Sequence, residues 1–205
     1  MAYNTPGNRY QKITPIVLNL IIINAIVFLV QMMFDGPEPE EKISRIIALY
    51  PYDSGLFKPY QLITTMFAHA GFLHILLNMY ALWMFGTILE RVWGAKRFLI
   101  FYLACGLAAG VAQMFLSNEP AVGASGAIMG LLAAFAYLFP NTEFYIIPIP
   151  FPLKAKYLVA IYAAYDIFGT IKSFDNIGHF AHLGGLVMGF ILVIIWNKTN
   201  KKTFY

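Results

Sequence analysis

The chain has 205 residues, enough for one ordinary domain, yet 60% of them are hydrophobic and only 12% charged, with a mean hydropathy of +0.66. A soluble domain carries about 25% charged residues, so a water-soluble globule is excluded. The net charge of +4 does not point to nucleic acid, because the basic residues stand in short groups between long apolar runs, with no basic face and no base-stacking motif. The single Cys105 lies in an apolar run and has no intrachain partner for a disulfide.

A charge near the bilayer centre costs at least about 2.5 kcal/mol, so spans are sought between charges. Charge-free runs cover 13–34, 59–89, 98–118, 120–142 and 176–197, four of them holding 21 to 23 residues. Roughly 20 residues of helix cross about 30 Å of hydrocarbon. The second run is longer, and counting back from Glu90 starts its helix near Ala70. A further span at 153–172 follows Pro148, Pro150 and Pro152 and contains Asp166. The expectation is an all-α, polytopic six-transmembrane-helix bundle forming one domain over 1–205, with spans at about 13–34, 70–89, 98–117, 124–140, 153–172 and 177–197. The first span is longer than a signal h-region and no small-x-small site follows it, so it reads as an uncleaved anchor.

With the N-terminus inside, the cytoplasmic segments hold 10 Lys and Arg and the outer segments 4, which predicts that both termini are cytoplasmic. The first outer loop is the long one. Ile43, Ile46, Ile47 and Tyr50 recur there at the spacing of one helical face, which predicts a segment lying in the interface.

Polar residues inside the spans can then be placed by depth. His74 and Asn78, four apart, share a face in the outer third of the second helix. Ser125 stands in Gly123-Ala124-Ser125-Gly126 at the outer entrance of the fourth helix, about 9 Å of helical rise after Glu119. His182, seven residues after Asp175, is expected near 10 Å below the outer end of the sixth. Polar groups left unpaired in hydrocarbon cost several kcal/mol, so these should face inward and meet. Gly126, Gly130 and Ala134 on the fourth helix, and Gly178, Gly185 and Gly189 beside His182 on the sixth, form small-residue faces that permit close backbone approach. Such stripes commonly serve packing alone; here the facing serine and histidine give the approach a chemical outcome.

A serine hydroxyl needs a base to become a nucleophile, and His182 is the candidate. Asp175 lies two turns away and Asp166 near the outer end of the fifth helix, so a Ser-His dyad is expected rather than a triad. Negative charge on an attacked carbonyl needs fixed donors. The backbone at Ser125, at a helix start, and the side chains of His74 and Asn78 can supply them.

These residues resemble the motifs of the rhomboid family of intramembrane serine proteases: His69-Ala70-Gly71-Phe72-Leu73-His74-Ile75-Leu76-Leu77-Asn78 on the second helix, Gly123-Ala124-Ser125-Gly126, and Ala181-His182-Leu183-Gly184-Gly185 on the last. The resemblance implies Ser125 as nucleophile, His182 as base, and His74, Asn78 and the Ser125 amide at the oxyanion. It implies a cavity open to the outer side, transmembrane protein substrates met within the lipid bilayer, and no metal or cofactor. A bacterial inner membrane is the expected location. Tyr60-Gln61 stands where many members carry Trp-Arg, and Met129 where Tyr or Phe is common.

Other polar residues have plainer readings. His69 is expected to pack or hydrogen-bond in the loop and His179 to lie nearer the surface. A four-histidine metal site lacks an accompanying thiolate or carboxylate. Asn19, Asn24 and Gln31 are expected to pair within the bundle, and Tyr157, Tyr162, Tyr165 and Phe168 to meet lipid. The alternative function is a rhomboid-like pseudoprotease that binds membrane proteins without cutting, marked by a missing dyad member. A transporter fits less well, since the polar groups share one depth.

Overall fold

The structure is a computed structural model that describes residues 13–35, 42–145, 151–172 and 177–199. It is mostly helical. The first helix, α1 (Pro15–Phe34), starts with a proline in its first turn, where no N–H is missed. Its buried residues Val17, Leu20, Asn24 and Gln31 recur at 3, 4 and 7, so one stripe faces protein. Ile22, Ile26, Leu29 and Met33 are exposed on the rest, as a lipid-facing surface requires. Asn19 falls on this exposed side, which corrects its expected pairing.

Polar side chains fix α1 at both ends. At the start, the Glu90 carboxylate accepts hydrogen bonds from Thr14 Oγ1 (2.5 Å), Ile16 N (3.0 Å) and Val17 N (2.9 Å), capping N–H groups that the helix itself leaves unpaired. At the other end, Gln31 accepts from His69 N (3.0 Å) and donates to His69 O (3.2 Å), pairing with that residue as a neighbouring strand would.

The long loop holds two short helices, α2 (Ile43–Ile47) and α3 (Gln61–Thr64), with single turns at Tyr52–Ser54 and Thr65–Phe67. Gln61 is buried, accepts from Lys58 N (3.0 Å) and donates to Leu56 O (3.3 Å), so it anchors the loop from within. Leu49 and Ala121 exchange both backbone hydrogen bonds at 2.9 Å, tying the loop to the chain just before Ser125.

The next helix runs from Phe72 to Trp93 as α4 (Phe72–Ala81), a wider π-helical turn (Leu82–Gly86) and α5 (Thr87–Trp93). Gly94, at a φ of 79°, makes the reversal into α6 (Ala95–Leu116). Then come α7 (Ser125–Leu138), an antiparallel pair of two-residue strands β1 (Glu143–Phe144) and β2 (Leu153–Lys154), α8 (Ala155–Lys172) and α9 (His179–Thr199).

Helices thus occupy all six segments expected to span. Among the described residues, four are long and apolar enough to cross a membrane by length and composition: Pro15–Phe34, Phe72–Trp93, Ala95–Leu116 and His179–Lys198. The other two differ for separate reasons. α7 has 14 residues, about 21 Å of rise, and every residue from Gly126 to Ala136 is buried, because it sits at the centre of the bundle. α8 is more polar and carries Asp166 and Lys172. Around α7 the core is built from Phe98, Phe101, Tyr102, Leu131 and Phe135. Trp93, Phe101 and Trp196 close the end away from the loop, their ring centroids 4.7 to 5.7 Å apart.

Candidate active site

Ser125 is the first residue of α7, and its position is set by the turn before it. Gly123 has a φ of +128°, a region L residues avoid, and a Cβ there would lie 2.9 Å from the His74 ring. The Gly123 N–H donates to Thr65 O (2.9 Å) and the Thr65 hydroxyl to Ala121 O (2.6 Å), so the entry to α7 hangs on the loop.

His182 lies in the first turn of α9, one turn nearer the helix start than the sequence count places it, because α9 begins at His179; Asp175 itself lies outside the described residues. Its Nε2 is 2.9 Å from Ser125 Oγ. This distance depends on near contact between α7 and α9. A Cβ on Gly185 would overlap the Gly126 carbonyl, and one on Gly189 the Gly130 carbonyl. Gly178, expected on the same face, instead lies near Gln113 Oε1 on α6. Gln113 also accepts from Ala181 N (3.2 Å), which satisfies one of the free N–H groups at the α9 start.

Ser125, His182, His74 and Asn78 line one cavity of about 470 Å³. His74 Nδ1 accepts from Ala70 N (3.3 Å), which leaves its Nε2 as the N–H. Asn78 Nδ2 donates to His74 O at 2.8 Å; an amide carries two N–H groups, so one remains for a ligand. The N–H groups of the first turn of α7 have no helical acceptor and carry the positive end of its dipole. Hydroxyl, imidazole and donors therefore border one space.

The expectation that no carboxylate orients His182 is corrected. Asp166 is fully buried on α8, and its Oδ1 lies 3.0 Å from His182 Nδ1 and 2.8 Å from His179 Nδ1. His179, one turn nearer the start of α9 than His182, is a buried member of this cluster. The sequence did carry a signal for Asp166: it is the one acidic residue of its span and lies away from the lysines at the span's two ends, and such a residue calls for a named partner.

His69 borders the loop instead. It is buried beside His74, their ring centroids 5.1 Å apart, and Gln31 holds its backbone. Burial and then the neighbouring His74 push its imidazole down to about 4, against a smaller opposing effect of the Phe67 carbonyl, so it is neutral at physiological pH. Tyr157, Tyr162, Tyr165 and Phe168 are exposed on α8, as lipid-facing aromatics are.

The family model described as Rhomboid domain matches residues 56–198. Relatives include the Rhomboid protease GluP of Bacillus subtilis (strain 168), 36% identical over 132 residues, which cover 64% of this chain and 25% of that protein. Rhomboid protein 1, mitochondrial, of Saccharomyces cerevisiae is 32% identical over 148 residues, 69% of this chain and 43% of the relative. Presenilin-associated rhomboid-like protein, mitochondrial, of Homo sapiens is 32% identical over 193 residues, 89% and 47% respectively. The chain spans from a quarter to just under half the length of these relatives. The matched stretch contains Ser125, His182, His74 and Asn78, and with it this membrane protein belongs to the rhomboid family.

Proposed function

We propose that this chain is an intramembrane serine endopeptidase that hydrolyses peptide bonds of transmembrane protein substrates. The observation that carries the proposal is the 2.9 Å approach of His182 Nε2 to Ser125 Oγ at a cavity shared with His74 and Asn78. In this reading Ser125 Oγ attacks the scissile carbonyl carbon while His182 Nε2 takes its proton. The oxyanion accepts from the Ser125 N–H, the His74 Nε2–H and the free Asn78 amide N–H. His182 then returns the proton to the leaving amine. Water, deprotonated by the same imidazole, cleaves the acyl-enzyme and frees Ser125.

The bilayer arrangement belongs to the same proposal. All six helical segments cross, α7 within a shell of protein and so without needing the full hydrocarbon thickness, and the chain forms one domain with both termini on the cytoplasmic side. The bacterial inner membrane suggested by the resemblance gains no support from relatives named mitochondrial. A rhomboid-like pseudoprotease remains the alternative, and the presence of both partners at hydrogen-bond distance favours cleavage over it.

Purified protein in detergent or nanodiscs tests this. A fluorophosphonate should label Ser125, and a transmembrane substrate should be cut. Ser125→Ala and His182→Ala should each abolish both reactions, since loss of either partner in soluble serine proteases costs on the order of 10⁶ in kcat. Cleavage by purified, folded Ser125→Ala would refute the proposal.

A further inference from the structure

Asp166 is a carboxylate with no exposed surface on a helix that lies among apolar neighbours. Removing such a group from water costs several kcal/mol unless donors replace the water. Two imidazoles do so at a single oxygen: Oδ1 lies 2.8 Å from His179 Nδ1 and 3.0 Å from His182 Nδ1. Oδ2 makes no hydrogen bond to a described residue. The two rings come from residues three apart on the first turn of α9, the spacing that puts both on one face. α8 is shaped to receive them. Gly169, three residues after Asp166, sits where any Cβ would overlap the His179 ring, and Tyr165 meets that ring edge to face with centroids 5.5 Å apart.

We infer that Asp166 is a positioning residue for His182, holding it as the Nδ1–H tautomer, and that His179 is the second donor that keeps the carboxylate in place. An acceptor-only oxygen facing Nδ1 requires the proton there. The lone pair is then on Nε2, which faces Ser125 Oγ at 2.9 Å. In the opposite tautomer Nε2 would carry the proton and could accept none, while the Nδ1 lone pair would face the carboxylate. During attack the Ser125 proton moves to Nε2 and His182 becomes an imidazolium. Its Nδ1 proton stays on the ring, and the Asp166 charge stabilises the cation without taking that proton. The inference rests on the proposed role of His182 as base.

The test reads orientation and reaction separately. In full-length protein labelled with ¹⁵N-histidine in micelles at neutral pH, the His182 signals, assigned by their loss in His182→Gln, should report protonated Nδ1 and unprotonated Nε2. Asp166→Asn keeps the shape but offers an N–H to the ring, so the His182 signals should move toward the other tautomer. Fluorophosphonate labelling of Ser125 should slow on the order of 10²- to 10⁴-fold, with kcat for a transmembrane substrate falling and KM within about threefold. A wild-type His182 protonated on Nε2 overturns the inference without any variant, and so does folded Asp166→Asn labelling within threefold of wild type. Wild type with the expected tautomer but no labelling of Ser125 would support the positioning role and refute the nucleophile.

Discussion

Gly185→Ala should separate Ser125 from His182 without touching either. The added methyl would overlap the Gly126 carbonyl oxygen, an atom of a helix backbone that cannot swing aside. To restore an ordinary contact, α9 must back away from α7 by roughly 1.5 Å, a shift of the kind overpacked interfaces make. Gly185 lies less than one turn from His182, so the imidazole moves with it. The 2.9 Å separation from Ser125 Oγ then stretches past hydrogen-bond range. Misplacing a reacting group by about 1 Å can cost on the order of 10² in rate. The expected outcome is a fluorophosphonate labelling rate reduced at least a hundredfold. The accompanying loss of stability is about 1 to 3 kcal/mol, so the rate is measured well below the thermal midpoint. Gly71→Ala is the control, because a Cβ there meets nothing within 4 Å and its φ of 170° is ordinary extended backbone. Wild-type labelling and an unchanged midpoint in Gly185→Ala would refute the claim that backbone contact between α7 and α9 sets the distance.

Asn78→Ala removes one proposed oxyanion donor and should cost roughly 10² to 10³ in kcat, leaving measurable cleavage; a total loss equal to Ser125→Ala would count against that role. Glu90→Ala strips three hydrogen bonds from the start of α1 and should lower stability by about 2 to 3 kcal/mol, while labelling below the midpoint stays within twofold; an unchanged midpoint would contradict the cap. His69 stays neutral in the fold down to about pH 4, whereas in the unfolded chain it titrates at 6.5. The unfolded state therefore takes the proton first, and the stability tied to the neutral ring is complete above about pH 6.5 and is lost as pH falls toward 4. The thermal midpoint should drop more between pH 7 and 4.5 in wild type than in His69→Gln, and equal slopes would refute this. With the buried Cys105 replaced by serine, Asn118→Cys should react with an impermeant thiol reagent from outside and Lys96→Cys should not; the reverse would invert the proposed topology.

The residues around Ser125 stood out in the sequence because a polar group in a charge-free run must find company, and depth along each span showed which could share a layer. The same rule reaches Asp166, which lies six residues, about 9 Å of rise, from Lys172 at the end of its helix. Its nearness to the outer end places it with Ser125 and His182, which are near that end too. Other features were not legible for physical reasons. The pairing of Gln31 with His69 joins backbone groups 38 residues away, and no local pattern encodes such a contact. The shortness of α7 follows from its being enclosed, which hydropathy cannot distinguish from immersion in lipid. Of the glycines at helical spacing, Gly185 and Gly189 meet α7, but Gly178 precedes the helix and is turned toward α6.

The attachments of α1 bear on the order in which the protein is built. This helix keeps most of its apolar surface outward, and what fixes it are Glu90 at one end and the backbone of His69 at the other. Both emerge from the ribosome well after α1 does. The first span must therefore enter the bilayer on its own hydrophobicity, with the Asn24 amide donating meanwhile to the carbonyl of Leu20 within the same helix. Its tilt and height are set only when the Phe72–Trp93 helix arrives. A lesion at Glu90 or Gln31 would thus leave insertion intact and interrupt assembly afterward, yielding a membrane-embedded chain whose first helix is loose, the kind of intermediate that quality-control proteases recognise.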